Sequence, residues 1–151
     1  MKNAPHIFIV EARFYNDIAD HLLDATTEKL VEEGATYEVF TVPGALEIPA
    51  AINIAVKSKG TKNQQKPFDA YIALGCVIRG ETTHYDTVAN ESSRAIMDLS
   101  VNKNIAIANG ILTCENKDQA LDRAMKSKKN KGGSFAKAAL EMLAFKDEFI
   151  Y

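Results

Sequence analysis

Cysteine is scarce in this sequence. Only Cys76 and Cys114 occur among 151 residues, far apart and without the close spacing of metal ligands. They read as two reduced thiols packed as small hydrophobes, as in a protein of a reducing compartment. Long apolar runs are also missing. YIALGCVI (71–78) falls far short of the roughly 20 residues that cross a bilayer. The early stretch IFIV (7–10) is too short for the core of a secretory signal. Nor is there an excess of positive charge. The formal net charge is -2, which argues against the basic face that nucleic acid or a membrane surface selects for. These absences describe a soluble, cytoplasmic protein with neither nucleic acid nor membrane as partner. No internal repeat and no linker-like segment divides the chain, so residues 1–151 are expected to form one domain.

What is present is an alternation. HIFIVEA (6–12) is a short apolar run that reads as a strand. Residues 16–34 carry Ile18, Leu22, Leu23, Leu30 and Val31 at helical spacing, with Gly34 placed as a C-cap. TYEVFTV (36–42) is β-branched and aromatic, a second strand. Pro43-Gly44 breaks it, and residues 43–60 turn helical, with Pro49 tolerated only near the helix start. After the polar loop TKNQQKP (61–67), residues 68–78 are apolar at nearly every position, as in a central strand covered on both faces. Residues 83–104 read as a helix. Residues 105–113 read as a fourth strand broken at Asn109-Gly110. Residues 116–129 open with Asn116 and Gln119 at capping-box spacing, and 133–149 form a final amphipathic helix. Strands alternating with helices predict an α/β fold: a three-layer α/β/α sandwich around a four-stranded parallel sheet.

Parallel α/β sheets bind ligands at the carboxyl ends of their strands. That rule selects 12–16, 42–47, 77–84 and 109–113. Phe14 and Tyr15 fall in a loop, where an aromatic either folds back on the core or offers a platform for a flat ring. The segment VPGALEIP (42–49) reads as a plain turn with Glu47 favoured by the helix dipole, or as backbone that approaches a heterocycle. In CVIRGETTHYDTVANES (76–92), Gly80 makes a turn and the following N–H groups open a helix. Thr82 and Thr83 cap that helix or add hydroxyl donors to an anion site. It is no nucleotide P-loop, since the glycine spacing and following lysine are missing. His84, one turn into that helix, is suited to proton transfer at neutral pH. His6 and His21 lack such company and read as surface residues. In LDRAMKSKKNKGG (121–133) the cations match a helix C-terminus, or else Arg123 or Lys131 reaches an anion. Arg79 and Asp86 read as a structural ion pair.

Taken in order, RFY (13–15), VPGALEIP (42–49), ALGCVIRGETTHYD (73–86), NGILT (109–113), QALDRA (119–124) and NKGG (130–133) resemble the 6,7-dimethyl-8-ribityllumazine synthase family over nearly the whole chain. The resemblance implies a flavodoxin-like fold. It also implies a transferase of riboflavin biosynthesis that condenses 5-amino-6-(D-ribitylamino)uracil with 3,4-dihydroxy-2-butanone 4-phosphate, without metal or organic cofactor. It assigns ring stacking to Phe14. The ring edge and ribityl chain fall to Ala45, Leu46 and Glu47 and to Cys76, Val77 and Ile78. Glu81 and Thr82 lie along the phosphate through their backbone, with Thr83 nearby. His84 is the proton-transfer residue, Arg123 binds phosphate, and Lys131 lies close. Members form homopentamers, some building icosahedral shells, with active sites between subunits. One subunit would supply Phe14 to His84 and the next Asn109, Arg123 and Lys131. A functional link to riboflavin synthase is implied too. Two positions depart from the family: Asn109 stands where an aromatic is common, and Tyr15 where a small polar residue is. Two other readings of the scaffold are a non-catalytic flavin- or lumazine-binding protein and a monomeric module that binds flavin mononucleotide.

Overall fold

A computed structural model describes residues 4–151. Ten elements follow one another: β1 (His6–Ala12), α1 (Asn16–Glu32), β2 (Thr36–Val42), a single 3-10 turn (Ala45–Glu47), α2 (Ile48–Lys57), β3 (Ala70–Ile78), α3 (His84–Asn102), β4 (Ala106–Cys114), α4 (Lys117–Ala124) and α5 (Lys131–Lys146). The four strands form one sheet in the order β2-β1-β3-β4, every pair parallel. This is the flavodoxin-like order, in which the chain reverses its winding between β1 and β3. No helix among the described residues is long and apolar enough to cross a membrane.

Period-two alternation along β1 sends its side chains to two separate cores. Phe8 and Val10 join Ile48, Ile52, Tyr71, Val88 and Ile96, so α2 and α3 cover that face. Ile7 and Ile9 join Leu30, Ile72, Ala136, Ala139 and Leu143, so α1 and α5 cover the other. A third cluster of Ile18, Leu22, Leu112, Cys114, Ala120 and Ala124 seats α4 beside α1. Both central strands are thus buried on two faces, which explains their unbroken apolar character. β3 is buried through Gly75 and opens only at Cys76, Val77 and Ile78. That opening locates the site.

Local signals set the boundaries. Gly34 has φ +78, its N–H bonds the Val31 carbonyl, and the Ala35 N–H reaches back to Leu30, the Schellman ending that a glycine at this position permits. Asn116 accepts from the Gln119 N–H at 2.9 Å, and Gln119 in turn accepts from the Glu115 N–H at 2.8 Å. The capping box is therefore real, shifted by one residue at its return bond. The helix it starts is shorter than its periodicity suggests, ending at Ala124 before a turn through 125–130.

Two expectations are corrected. β4 runs unbroken through Asn109-Gly110. Gly110 is needed for close approach: a Cβ there would meet the Ala73 carbonyl oxygen at 2.5 Å and the Phe135 ring at 2.6 Å. His6 is no surface residue but 1% exposed. The β1 alternation turns it inward, where it stacks on Phe68 with centroids 5.1 Å apart. Its ring nitrogens lie 2.7 Å from Thr36 Oγ1 and 2.7 Å from Glu38 Oε2, so burial leaves no polar atom unpaired. His21 is partly exposed on α1.

Candidate functional site

A cavity of about 420 Å³ opens at the carboxyl ends of β1 and β3, where the winding reverses. Ala12, Phe14 and Tyr15 line it from β1; Gly44, Ala45, Leu46 and Glu47 from the segment after β2; Cys76, Val77 and Ile78 from β3. Gly80, Thr82, His84, Tyr85 and Val88 complete it. Three of the four strand ends selected by sequence therefore converge on one space.

The two aromatics after β1 behave differently. Phe14 is 79% exposed, an unusual position for an apolar ring. Tyr15 packs against the cluster of Ile18, Leu22, Leu112 and Cys114 and meets Phe14 edge-on at 4.9 Å. The platform reading fits Phe14 and the folded-back reading fits Tyr15. After β2, Gly44 is extended at φ -156, and its carbonyl accepts from the Glu47 N–H at 3.1 Å. That one bond closes the 3-10 turn that runs straight into α2, with Pro49 in the first helical turn. Ala45 is buried beneath the turn, while Leu46 and Glu47 face outward.

The β3 end is tied down by the Arg79 N–H, which donates to the Cys114 carbonyl at 3.0 Å. A turn follows, and His84 is the first residue of α3 rather than one turn into it, because residues 80–83 are spent on the turn. Thr82 Oγ1 accepts from the His84 N–H at 3.3 Å, whereas the Thr83 side chain caps nothing. Among the described residues the N–H groups of Tyr85 and Asp86 find no acceptor, so the helix start keeps free donors. Arg79 forms the anticipated pair with Asp86 at 3.3 Å, but it also reaches Glu115 at 3.0 Å and lies 4.3 Å from the centre of the Tyr85 ring. Those hydrogen bonds, to Asp86 first and Glu115 second, hold the guanidinium still more firmly cationic.

Cys76 contributes no nucleophile. Burial, with Cys114 beside it, pushes its thiol up to about 12, so at neutral pH it is an uncharged, half-buried wall. Burial raises Cys114 as well. Among the described residues no group of three His, Cys, Asp or Glu side chains is arranged to hold a metal ion.

Five of the sequence-selected residues lie outside the cavity lining. Glu81 and Thr83 are exposed in the turn itself. Asn109 sits on the edge strand β4, paired with Ala73, three residues short of the Leu112 that pairs with Cys76. Along a strand that is about 10 Å below the cavity. Its Nδ2 donates to Ser93 Oγ at 3.2 Å. Arg123, half-buried on α4, donates to the Gln119 carbonyl at 3.0 Å, and Lys131 is exposed at the start of α5. Tyr85 and Val88 line the cavity without having been singled out. They share a helix face with His84, a spacing that identifies them once the helix start is fixed.

Comparison with known proteins follows the same outline. The family model described as 6,7-dimethyl-8-ribityllumazine synthase matches residues 4–147. A protein of that name from Agrobacterium fabrum is 57% identical over 94% of this chain and 95% of its own length. One from Bartonella tribocorum is 54% identical over 99% and 95%, and one from Sphingopyxis alaskensis 56% identical over 95% and 96%.

Proposed function

Because the chain belongs to the 6,7-dimethyl-8-ribityllumazine synthase family, we propose that the cavity is where it condenses 5-amino-6-(D-ribitylamino)uracil with 3,4-dihydroxy-2-butanone 4-phosphate. The products are 6,7-dimethyl-8-ribityllumazine, phosphate and water, in the penultimate step of riboflavin biosynthesis. The observation that carries the reading is the composition of the cavity wall: the exposed aromatic Phe14, the small residues Gly44, Ala45 and Gly80, the Thr82 turn and His84 around one space. Phe14 stacks on the pyrimidine. Ala45, Leu46 and Glu47 hold its edge and the ribityl chain together with Cys76, Val77 and Ile78. The backbone of Glu81 and Thr82, with Thr83, receives the phosphate, and His84 moves protons between the two substrates. Imine formation with loss of water, loss of phosphate and ring closure with dehydration each form or break bonds to carbon, and each also moves protons.

Of the residues outside the lining, Glu81 and Thr83 stay with their own chain's site, and the other three are assigned to the site of an adjoining copy. In this reading the whole chain is one domain of a cytoplasmic homopentamer. Asn109, Arg123 and Lys131 of one subunit complete the cavity of the next, Arg123 as the phosphate anchor. Support comes from α4, which follows the edge strand β4 and carries an Arg123 that does not line its own chain's cavity. Whether pentamers assemble into shells, and whether riboflavin synthase works beside them, belongs to the same proposal.

Orientation outweighs proton transfer in this scheme. A positioned acid–base group is worth about 10² to 10⁴ in rate, whereas holding two reactants in register gives effective molarities of about 10⁵ to 10⁸ M. His84→Ala therefore leaves measurable turnover, and Arg123→Ala costs more. The assay mixes protein with both substrates and follows lumazine fluorescence and phosphate release. Abolished activity in His84→Ala beside a mild Arg123→Ala would contradict the template. Lumazine binding without turnover by the unaltered protein would favour a non-catalytic binder.

A further inference from the structure

The loop that carries Phe14 is held by a part-buried ion pair between Arg13 and Glu11. Glu11, near the end of β1, is 4% exposed. Both carboxylate oxygens are occupied: Oε2 accepts from Thr41 Oγ1 on β2 at 2.9 Å, and Oε1 accepts from Arg13 Nη1 at 2.8 Å. A charge so deeply buried is tolerable only when paired and hydrogen-bonded, so this contact fixes where the guanidinium lies. The rest of the guanidinium reaches forward over the turn. Nε donates to Asn16 Oδ1 and Nη2 to the Asn16 carbonyl, each at 3.3 Å, and Nη2 also pairs with Asp20 on α1. Arg13 thus joins the last residues of β1 to the first turn of α1. That start has no side-chain cap of its own, since Tyr15 provides none.

Only Phe14 and Tyr15 lie between the two anchored ends. Tyr15 packs against the core cluster with part of its side chain at the cavity, whereas Phe14 stays 79% exposed in the cavity wall. A free loop would fold an apolar ring back to reduce its contact with water. We infer that Arg13, seated on Glu11, is a positioning residue that holds Phe14 out as the stacking platform for the pyrimidine. The inference rests on the proposed role of Phe14. A lysine cannot replace the fork, because a single ammonium does not reach Glu11, Asn16 and Asp20 together.

The test is a double-variant cycle read as separate KM values for the two substrates. Phe14→Ala is expected to raise KM for ribitylaminouracil about tenfold, the scale of losing one aromatic stacking partner. Arg13→Gln is expected to raise the same KM by a similar factor and to leave KM for the butanone phosphate unchanged. Arg13→Lys should fall between Arg13→Gln and the unaltered protein. The Arg13→Gln/Phe14→Ala double variant should be no worse than Phe14→Ala alone, because the two residues act through one contact. Should Arg13→Gln fail to fold, Arg13→Lys carries the same comparison. Effects that multiply, a pyrimidine KM unmoved by either Arg13 variant, or a drop in kcat with both KM values unchanged would overturn the inference and leave the Phe14 assignment standing. An unchanged pyrimidine KM in Phe14→Ala would remove the stacking assignment, and the role of Arg13 with it.

Discussion

Cys76 stands where β3 leaves the core, with Cys114 against it. Its raised thiol pKa has a consequence for stability. Below its ordinary value of 9.0 both the folded and the unfolded chain keep the proton, and the contribution of the buried thiol is complete. Between there and about 12 the unfolded chain loses its proton first, so stability falls as pH rises. Melting temperatures at pH 8 and pH 10.5 should therefore converge in Cys76→Ala relative to the unaltered protein; parallel curves would contradict the burial argument. At this scale the sequence was readable where chemistry and position coincide. Phe14, His84, Val77 and Ile78 fall at strand ends that the sequence selects, Cys76 enters only through the family resemblance, and all line the cavity. His6 and Glu11 were not. Their inward orientation depends on which face of β1 each residue takes, and their partners Thr36, Glu38 and Thr41 are about 30 positions away in the chain.

Elements were legible wherever a local signal sets them. Gly34, the Asn116 box and the unbroken apolar run of β3 each placed a boundary to within a few residues. The Asn109-Gly110 pair misled, because a turn signature and a close-packing glycine look alike in one dimension. Its meaning comes from Ala73 on the neighbouring strand and Phe135 on α5, contacts that only the fold creates. The prediction at this scale follows from them. Gly110→Ala forces a Cβ against a strand carbonyl that cannot move without breaking the ladder between β3 and β4. It should cost about 1–3 kcal/mol, in the range of overpacked cores, read as a lower urea midpoint with unchanged m-value. An unaltered midpoint would mean that the two strands separate more easily than their packing implies. Asn109, one position earlier, is exposed and makes only hydrogen bonds to Ser93 and the Ile111 N–H, so it should tolerate alanine better.

For the whole molecule, the arrangement of the sheet separates two groups of the residues proposed for the site. Winding reverses between β1 and β3, which opens the cavity at the middle of the sheet. β4 lies at the edge, and Arg123, on the α4 that follows it, is not among the residues lining that opening. The sequence alone listed both groups of residues, but nothing in it states which chain each serves. A mixed-subunit experiment addresses that question most directly. Leu46→Trp fills the cavity mouth and leaves the Arg123 half intact; Arg123→Ala does the reverse. Each variant alone should be nearly inactive. Unfolded together in equal amounts and refolded, they should recover about a quarter of the unaltered activity, since random assembly around a ring joins one intact cavity to one intact Arg123 at that frequency. Activity no higher than the mean of the two separate variants would show that each site is built from a single chain, and would contradict the shared-site account.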